Sequence, residues 1–409
     1  MRPAPIHRLA AALMLAAAVA SGCGSAKPEG RVPGRALTIY ASTALQGATK
    51  ELGRDVVAGE RLALEQAGGR VGAYSVRLRI LDSMRPPAER WSPDVVALNA
   101  RRAVQDPTTI AYLGELETAG STVSLPILSR EGILEVSPTD TFAGPTEPEG
   151  SVPGEPAKYY PTAERTFGRI VPDDDLQAKK LVAWMREEGV GRLLVAHDES
   201  LYGASLGSEV AREAVRHGMR LAPALTVDPD ELAADPAGTV VKARAARPDG
   251  VVYTGVGVRS AARVFQVMHS ALPGVSLYGP AALALPGVVG RLGSAQQNIR
   301  LMGLAPLQPR VAASFVRAYL RRYRRAPGVE AAYGYEAMTV VLDGLRGAGS
   351  RAGVRGEAVK RFFTSRRPAS PLGPYAVRRT GASTLSGYAR YRVRRDRLVR
   401  VGDRPELQR

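Results

Sequence analysis

The chain has 409 residues, one cysteine and a formal net charge of +17. Its length exceeds one ordinary core and predicts two globular units, while 45% hydrophobic and 23% charged residues exclude a wholly disordered chain. A lone cysteine excludes an internal disulfide and a cysteine-based zinc site.

The charge invites a nucleic-acid role, yet only 7 of the 56 basic residues are lysine. That arginine skew, beside abundant Ala, Gly and Pro, fits a GC-rich genome better than a nucleic-acid groove. The amino terminus sets the compartment. Arg2, His7 and Arg8 precede the apolar run Leu9–Ala20, and Ser21-Gly22-Cys23 follows. This is an export signal, too short to span a bilayer of roughly 20 residues. Ala20-Ser21-Gly22-Cys23 resembles a bacterial lipobox, with Ala20 in place of the usual Leu. Residues 1–23 are expected to be a lipoprotein signal, Cys23 the lipid attachment point, and the polar Gly- and Pro-rich residues 24–35 a tether.

From Leu37 the elements alternate. Leu37–Ser42 reads as a strand, Asp55–Gln66 as a helix, Val76–Asp82 as a strand and Pro93–Val104 as a helix. Thr109–Gly114 is a strand, the stretch from about Gly120 to Arg130 a helix and Gly132–Ser137 a strand. Such β-α-β-α order implies a parallel sheet covered by helices. Residues 142–169 hold five prolines and read as a long surface loop. A second series follows: helix Leu176–Glu188, strand Arg192–His197, helix Ser205–His217, helix Val240–Arg247, strand Gly250–Thr254, helix Ser260–Leu272, and strands Val275–Gly279 and Ile299–Leu304. Helices Val311–Arg325, Tyr335–Gly347 and Gly356–Thr364 come next, then short strands within Tyr375–Val401. Two such series predict two lobes with a cleft at their strand ends.

Catalytic motifs are weak. Gly203-Ala204-Ser205-Leu206-Gly207 matches a nucleophile elbow, but Ser205 lies several residues past its strand and reads as a helix-start residue. Gly255-Val256-Gly257 begins a dinucleotide fingerprint without its third glycine or its acid. Asp173-Asp174-Asp175 reads as a helix cap, and the arginine-rich tail as a solvated edge hairpin. Hydroxyls at strand ends remain. Thr118 precedes a helix start that can receive an anion, and Ser137-Pro138-Thr139-Asp140-Thr141 follows a strand. Capping and turn chemistry would explain them equally well.

Tyr112–Pro138, Arg169–Gln177, Asp198–Gly203, Gly59–Ala63 with Gly68-Gly69, and Tyr333–Ala337 beside Pro327 stand in one order along the chain. Together they resemble the type I periplasmic solute-binding proteins of ABC importers, the branched-chain amino acid (Leu/Ile/Val)-binding family. The resemblance spans about Leu37 to Tyr375. It implies an α/β fold of two Rossmann-like lobes with parallel sheets joined by three crossovers. Lobe 1 would hold residues 36–171 and 304–371, and lobe 2 residues 172–303 and 372–409.

By the same resemblance Thr118 and Thr141 supply ligand-binding hydroxyls, Thr139 a backbone contact, and Asp174 a second-lobe acid. Ala119 and Asp140 belong to the same loops. Tyr202 and Tyr253, with Tyr40, are candidate walls. Val256 stands where the family often presents an aromatic ring. Ala281 replaces the acid that holds a ligand ammonium, so Asp140, Glu117 or Asp174 would have to substitute, or the ligand is not a standard α-amino acid. The loop at 142–169, with Lys158-Tyr159-Tyr160, is a further departure and a candidate cover for the cleft. The reading is a lipid-anchored monomer that passes a small polar ligand to an ABC permease, without enzymatic activity, cofactor, metal or nucleic acid. The alternative is a ligand sensor acting through a protein partner.

Overall fold

The computed structural model describes residues 30–85, 91–147 and 153–401. The export signal, Cys23 and the start of the tether lie outside them. The tether's last residues are held in place: Arg31 bridges Val354, and the Val32 amide donates to the Gly353 carbonyl at 2.8 Å.

The first sheet contains β1 (Ala36–Thr43), β2 (Arg70–Val71), β3 (Tyr74–Asp82), β4 (Thr109–Leu113), β5 (Leu134–Ser137) and β6 (Phe167–Arg169), in the order β2-β3-β1-β4-β5-β6. Every neighbouring pair is parallel except the β2–β3 hairpin. Leu37, Ile39 and Ala41 of β1 are buried on one face and Tyr40 on the other, as a strand covered on both sides requires. Helices α1 (Lys50–Gln66), α2 (Pro93–Gln105) and α3 (Ser121–Ser129) connect these strands. Strand β1 pairs with β3 on one side and β4 on the other, so the chain order reverses there and opens a crevice at the carboxyl ends.

The second sheet contains β7 (Arg192–His197), β8 (Arg220–Leu221), β9 (Leu225–Thr226), β10 (Gly250–Tyr253), β11 (Ser276–Gly279) and β12 (Ile299–Leu304). A small pair, β13 (Arg366–Arg367) and β14 (Tyr375–Ala376), stands apart. Then β15 (Tyr388–Arg394) and β16 (Arg397–Arg400) add an antiparallel hairpin to β12. The order is β16-β15-β12-β11-β10-β7-β8, with β9 also on β7. The mixed α/β class with parallel sheets is as expected from the sequence.

The chain passes between the sheets three times. The first crossing follows β6. The second follows β12, after which helix Val329–Ala348 packs against α1. Its Gly334 abuts the Val56 carbonyl, and Gly59 of α1 abuts the Ala331 carbonyl, so neither position has room for a Cβ. The last crossing follows Leu385. Tyr375, Val377 and Leu385 are buried in the first core, so residues 372–385 pack with the first lobe and not, as the sequence suggests, with the second.

Two further expectations are corrected. Residues 142–169 are not simply a surface loop. Phe142, Tyr159 and Tyr160 are buried against Leu125 of α3, and the segment ends in edge strand β6. Short aromatic runs between prolines carry no periodicity, which hid both features. Helix α5 (Leu201–Arg216) begins at Ser200, whose hydroxyl accepts from the Gly203 amide at 3.0 Å. Ser205 is therefore buried in the helix and does not start it. By contrast, Asp173 caps α4 (Asp174–Glu187) by accepting from the Leu176 amide, as expected.

The interlobe cleft

Loops at the carboxyl ends of both sheets enclose a cavity of about 500 Å3 and an adjoining one of about 120 Å3. Both are lined by Thr49, Glu117 and Thr118 from the first lobe and by Ala282 and Leu285 from the second. Val171 and Leu304, next to two of the crossings, reach the larger cavity, as do Tyr391 and Leu398 of the terminal hairpin. A separate polar groove of about 330 Å3 beside α4 and α5 is lined by ion-paired side chains, among them Lys179 with Asp175.

The loop after β4 builds the first-lobe wall. Ala119 lies in the left-handed region at φ 68, which a non-glycine residue adopts only when its surroundings impose it. Asp140 does so. Its carboxylate accepts from the amides of Ala119 at 2.9 Å, Ser121 at 3.2 Å and Phe142 at 3.0 Å. Buried among these donors at the start of α3, Asp140 braces the loop and lines neither cavity. The Ser137 hydroxyl donates to the Glu115 carbonyl at 2.8 Å and accepts from the Asp140 amide at 2.8 Å. Thr139 donates its hydroxyl to the Leu116 carbonyl at 2.7 Å. These bonds lock the loops after β4 and β5 together, and Thr118 Oγ1 stands 3.4 Å from Thr141 Oγ1.

Among the sequence-selected residues, Thr118, Thr139 and Thr141 line the larger cavity, and Thr118, Ala119 and Tyr202 the smaller. Tyr253 instead packs edge-on to Phe265 in the second core, with ring centres 6.0 Å apart. Tyr40 donates to Asp106 at 3.0 Å, on the α2 side of the sheet. No described residue of 142–166 lines either cavity, so the described part of this segment does not form the expected cover.

Asp174 sits behind the cleft wall. Its amide donates to the Thr141 carbonyl at 2.9 Å, and its carboxylate accepts from Gln177. Gln177 Oε1 then accepts from the Ala281 amide at 2.6 Å, which links the acid to a cleft residue. Burial pushes the Asp174 carboxyl up to about 8, against the pull of the Thr141 hydroxyl and the Arg169 charge. Burial likewise raises Glu115 to about 8, although Tyr112 and Ser42 donate to it. On the second lobe, Asp198 accepts from the Val256 amide at 2.8 Å and the Ser200 amide at 3.2 Å, fixing two cleft loops.

Thr49, Trp91, Leu285 and Pro286 also line the cleft but carry no motif. Thr49 immediately precedes α1, whose start the apolar pattern places five residues too late. Among the described residues, no helix is long and apolar enough to cross a membrane, and no three His, Cys, Asp or Glu side chains are grouped to hold a metal ion.

The chain is similar to the leucine-binding protein LivK of Thermotoga maritima, at 19% identity and a TM-score of 0.74, over 89% of this chain and 97% of that one. It is also similar to an ABC transporter solute-binding protein of R. palustris in complex with benzoate, at 18% identity and a TM-score of 0.71, over 90% and 96%. A third similar structure is the branched-chain amino acid substrate-binding protein LivJ of Streptococcus pneumoniae in complex with isoleucine, at 15% identity and a TM-score of 0.67, over 89% and 99%. At these identities the likeness is one of fold. No curated protein matches the chain. Residues 37–397 match the family model described as periplasmic binding protein, and the chain belongs to that family.

Proposed function

We propose that the protein is an extracytoplasmic solute receptor of an ABC importer, tethered through a lipidated Cys23. It captures a small polar molecule, an amino acid, amide or small carboxylate, between its lobes and delivers it to a membrane permease. The observation that carries this reading is the cavity of about 500 Å3 lined from both lobes and from the crossing segments. A ligand that touches both walls stabilises the closed arrangement and shifts the population toward it. Thr118 and Thr141 offer hydroxyls to the ligand, and Tyr202 a wall. The role is binding and release, with no covalent step.

A thermal-shift panel of amino acids, amides and short-chain and aromatic acids tests the receptor. A ligand at 100 times its Kd adds about 2.7 kcal/mol to stability. Stabilisation by nucleotides alone would overturn the reading. Mass spectrometry of the mature amino terminus tests the anchor; an unmodified peptide containing Cys23 would refute it.

A further inference from the structure

A further cavity of about 210 Å3 shares no lining residue with the two cavities of the cleft. Residues 305–308, which adjoin the second crossing, and residues 384–387, which adjoin the third, form two of its sides. Residues 371–374 of the first lobe and Tyr333 of helix Val329–Ala348 complete it. The Ala305 amide donates to the Gly387 carbonyl at 2.6 Å, so the two crossings meet in its wall.

Among the described residues no charged side chain lines this cavity, and Leu307, Pro371, Leu372 and Leu385 make much of its wall apolar. Gln308 and Ser386 add exposed neutral polar groups. Tyr333 differs from both. It is 3% exposed, and its hydroxyl has no hydrogen-bond partner among the described residues. Buried hydroxyls are normally paired, because an unpaired one costs free energy. Burial raises the pKa of this phenol, and Glu330 adds to the shift, so the hydroxyl keeps its proton and can donate it.

Gly387 leaves the space beside that hydroxyl open. A Cβ there would stand 3.4 Å from the Tyr333 oxygen and 3.9 Å from the Ala305 Cβ, both ordinary contacts. Gly387 also lies outside the left-handed region. Neither crowding nor a left-handed backbone requires glycine at this position, and its effect is to keep room in front of a free donor. A charged molecule entering such a cavity would lose its hydration without meeting an opposite charge. A neutral one loses less and gains the tyrosine hydrogen bond. Sites for drug-sized ligands occupy about 300–1,000 Å3, so this smaller space suits a molecule of single-ring size.

We propose that this cavity is a second binding site, for a small uncharged molecule whose carbonyl or hydroxyl oxygen accepts from Tyr333. Its occupant touches residues beside two crossings at once and braces the bond between Ala305 and Gly387. The site lies apart from the cleft, so the inference is independent of the receptor reading.

Three probes of one ring size test it on the intact chain: δ-valerolactam, which is neutral and carries a carbonyl, piperidinium and cyclohexanecarboxylate. Calorimetry reads affinity, and hydrogen exchange of the Ala305 amide reads location. The lactam is expected to bind and to slow that exchange, and the two charged rings not to bind. Tyr333→Phe is expected to weaken lactam binding by about 2- to 10-fold, the range for a neutral hydrogen bond. This variant removes only an unpaired hydroxyl, so it should melt no lower than the parent. Gly387→Ala, which sets a methyl group beside the hydroxyl, should also weaken the lactam. A lactam held in the cleft instead would bind Tyr333→Phe as tightly as the parent, and that result would overturn the inference. So would failure of the lactam to bind, unchanged exchange at Ala305, or equal binding of either charged ring. Each of these results leaves the receptor reading to its own ligand panel.

Discussion

The Tyr388 hydroxyl donates to the Pro172 carbonyl at 2.8 Å. Tyr388 opens the strand after the third crossing, and Pro172 belongs to the first. Nearby, the Ala305 amide, just past the second crossing, donates to the Gly387 carbonyl at 2.6 Å. The three crossings are thus bonded to one another at the base of the cleft. Three segments tied in this way form the joint about which the proposed lobe closure would turn.

Tyr388→Phe should lower stability by about 1–3 kcal/mol, because a buried carbonyl loses its donor. Urea denaturation measures this. A loss under about 0.3 kcal/mol would show that the bond does not hold the crossings together.

Thr118→Ala should weaken an authentic ligand by about 1–3 kcal/mol while leaving the unfolding midpoint of the free protein unchanged. Thr118 is half-buried and its described side-chain partner is Thr141, so its loss leaves no core cavity. Calorimetry with the stabilising ligand checks this, and equal affinities would remove Thr118 from the site.

Asp174 predicts a pH dependence. Its carboxyl titrates near about 4 when unfolded and is pushed up to about 8 when folded, by burial. Between those values the folded chain holds a proton that the unfolded chain has released. Stability therefore falls as pH rises through this window and levels off above it. Glu115 contributes in the same direction. Asp174→Asn should flatten part of the slope, seen as a smaller fall in melting temperature from pH 5 to 8. Parallel slopes in the two proteins would show that Asp174 is already ionised when folded.

Gly59→Ala should cost about 1–3 kcal/mol, since its methyl group would meet the Ala331 carbonyl and force α1 from helix Val329–Ala348. Differential scanning calorimetry reads the loss. A variant as stable as the parent would mean that the two helices can separate freely.

The elements most legible in the sequence were those with a strong local period. Strand Arg192–His197, with its unbroken apolar centre, is observed at its expected limits. The acid cluster at Asp173–Asp175 was legible as a cap because capping is a local bond. Residues 142–169 were not, since Tyr159, Tyr160 and Phe167 declare their burial only when α3 lies against them.

The site divides in the same way. Thr118, Thr139 and Thr141 could be selected because each follows a recognisable strand, and strand ends meet in a cleft. Tyr253 could not be told from Tyr202 by sequence: both are buried aromatics of one lobe, but Tyr253 packs against Phe265 and Tyr202 borders the cavity. The direction of a side chain depends on which layer covers each face of its sheet.

The sequence by itself determined the α/β class, two lobes and a set of hydroxyls at strand ends, because periodicity and turn chemistry act within a few residues. Only the tertiary structure decided that Asp140 braces a loop, that Leu385 still belongs to the first lobe, and that a chain of charge +17 surrounds its cleft with carboxylates. Net charge sums over the whole surface, whereas a ligand meets only the few side chains that three crossings bring to one place.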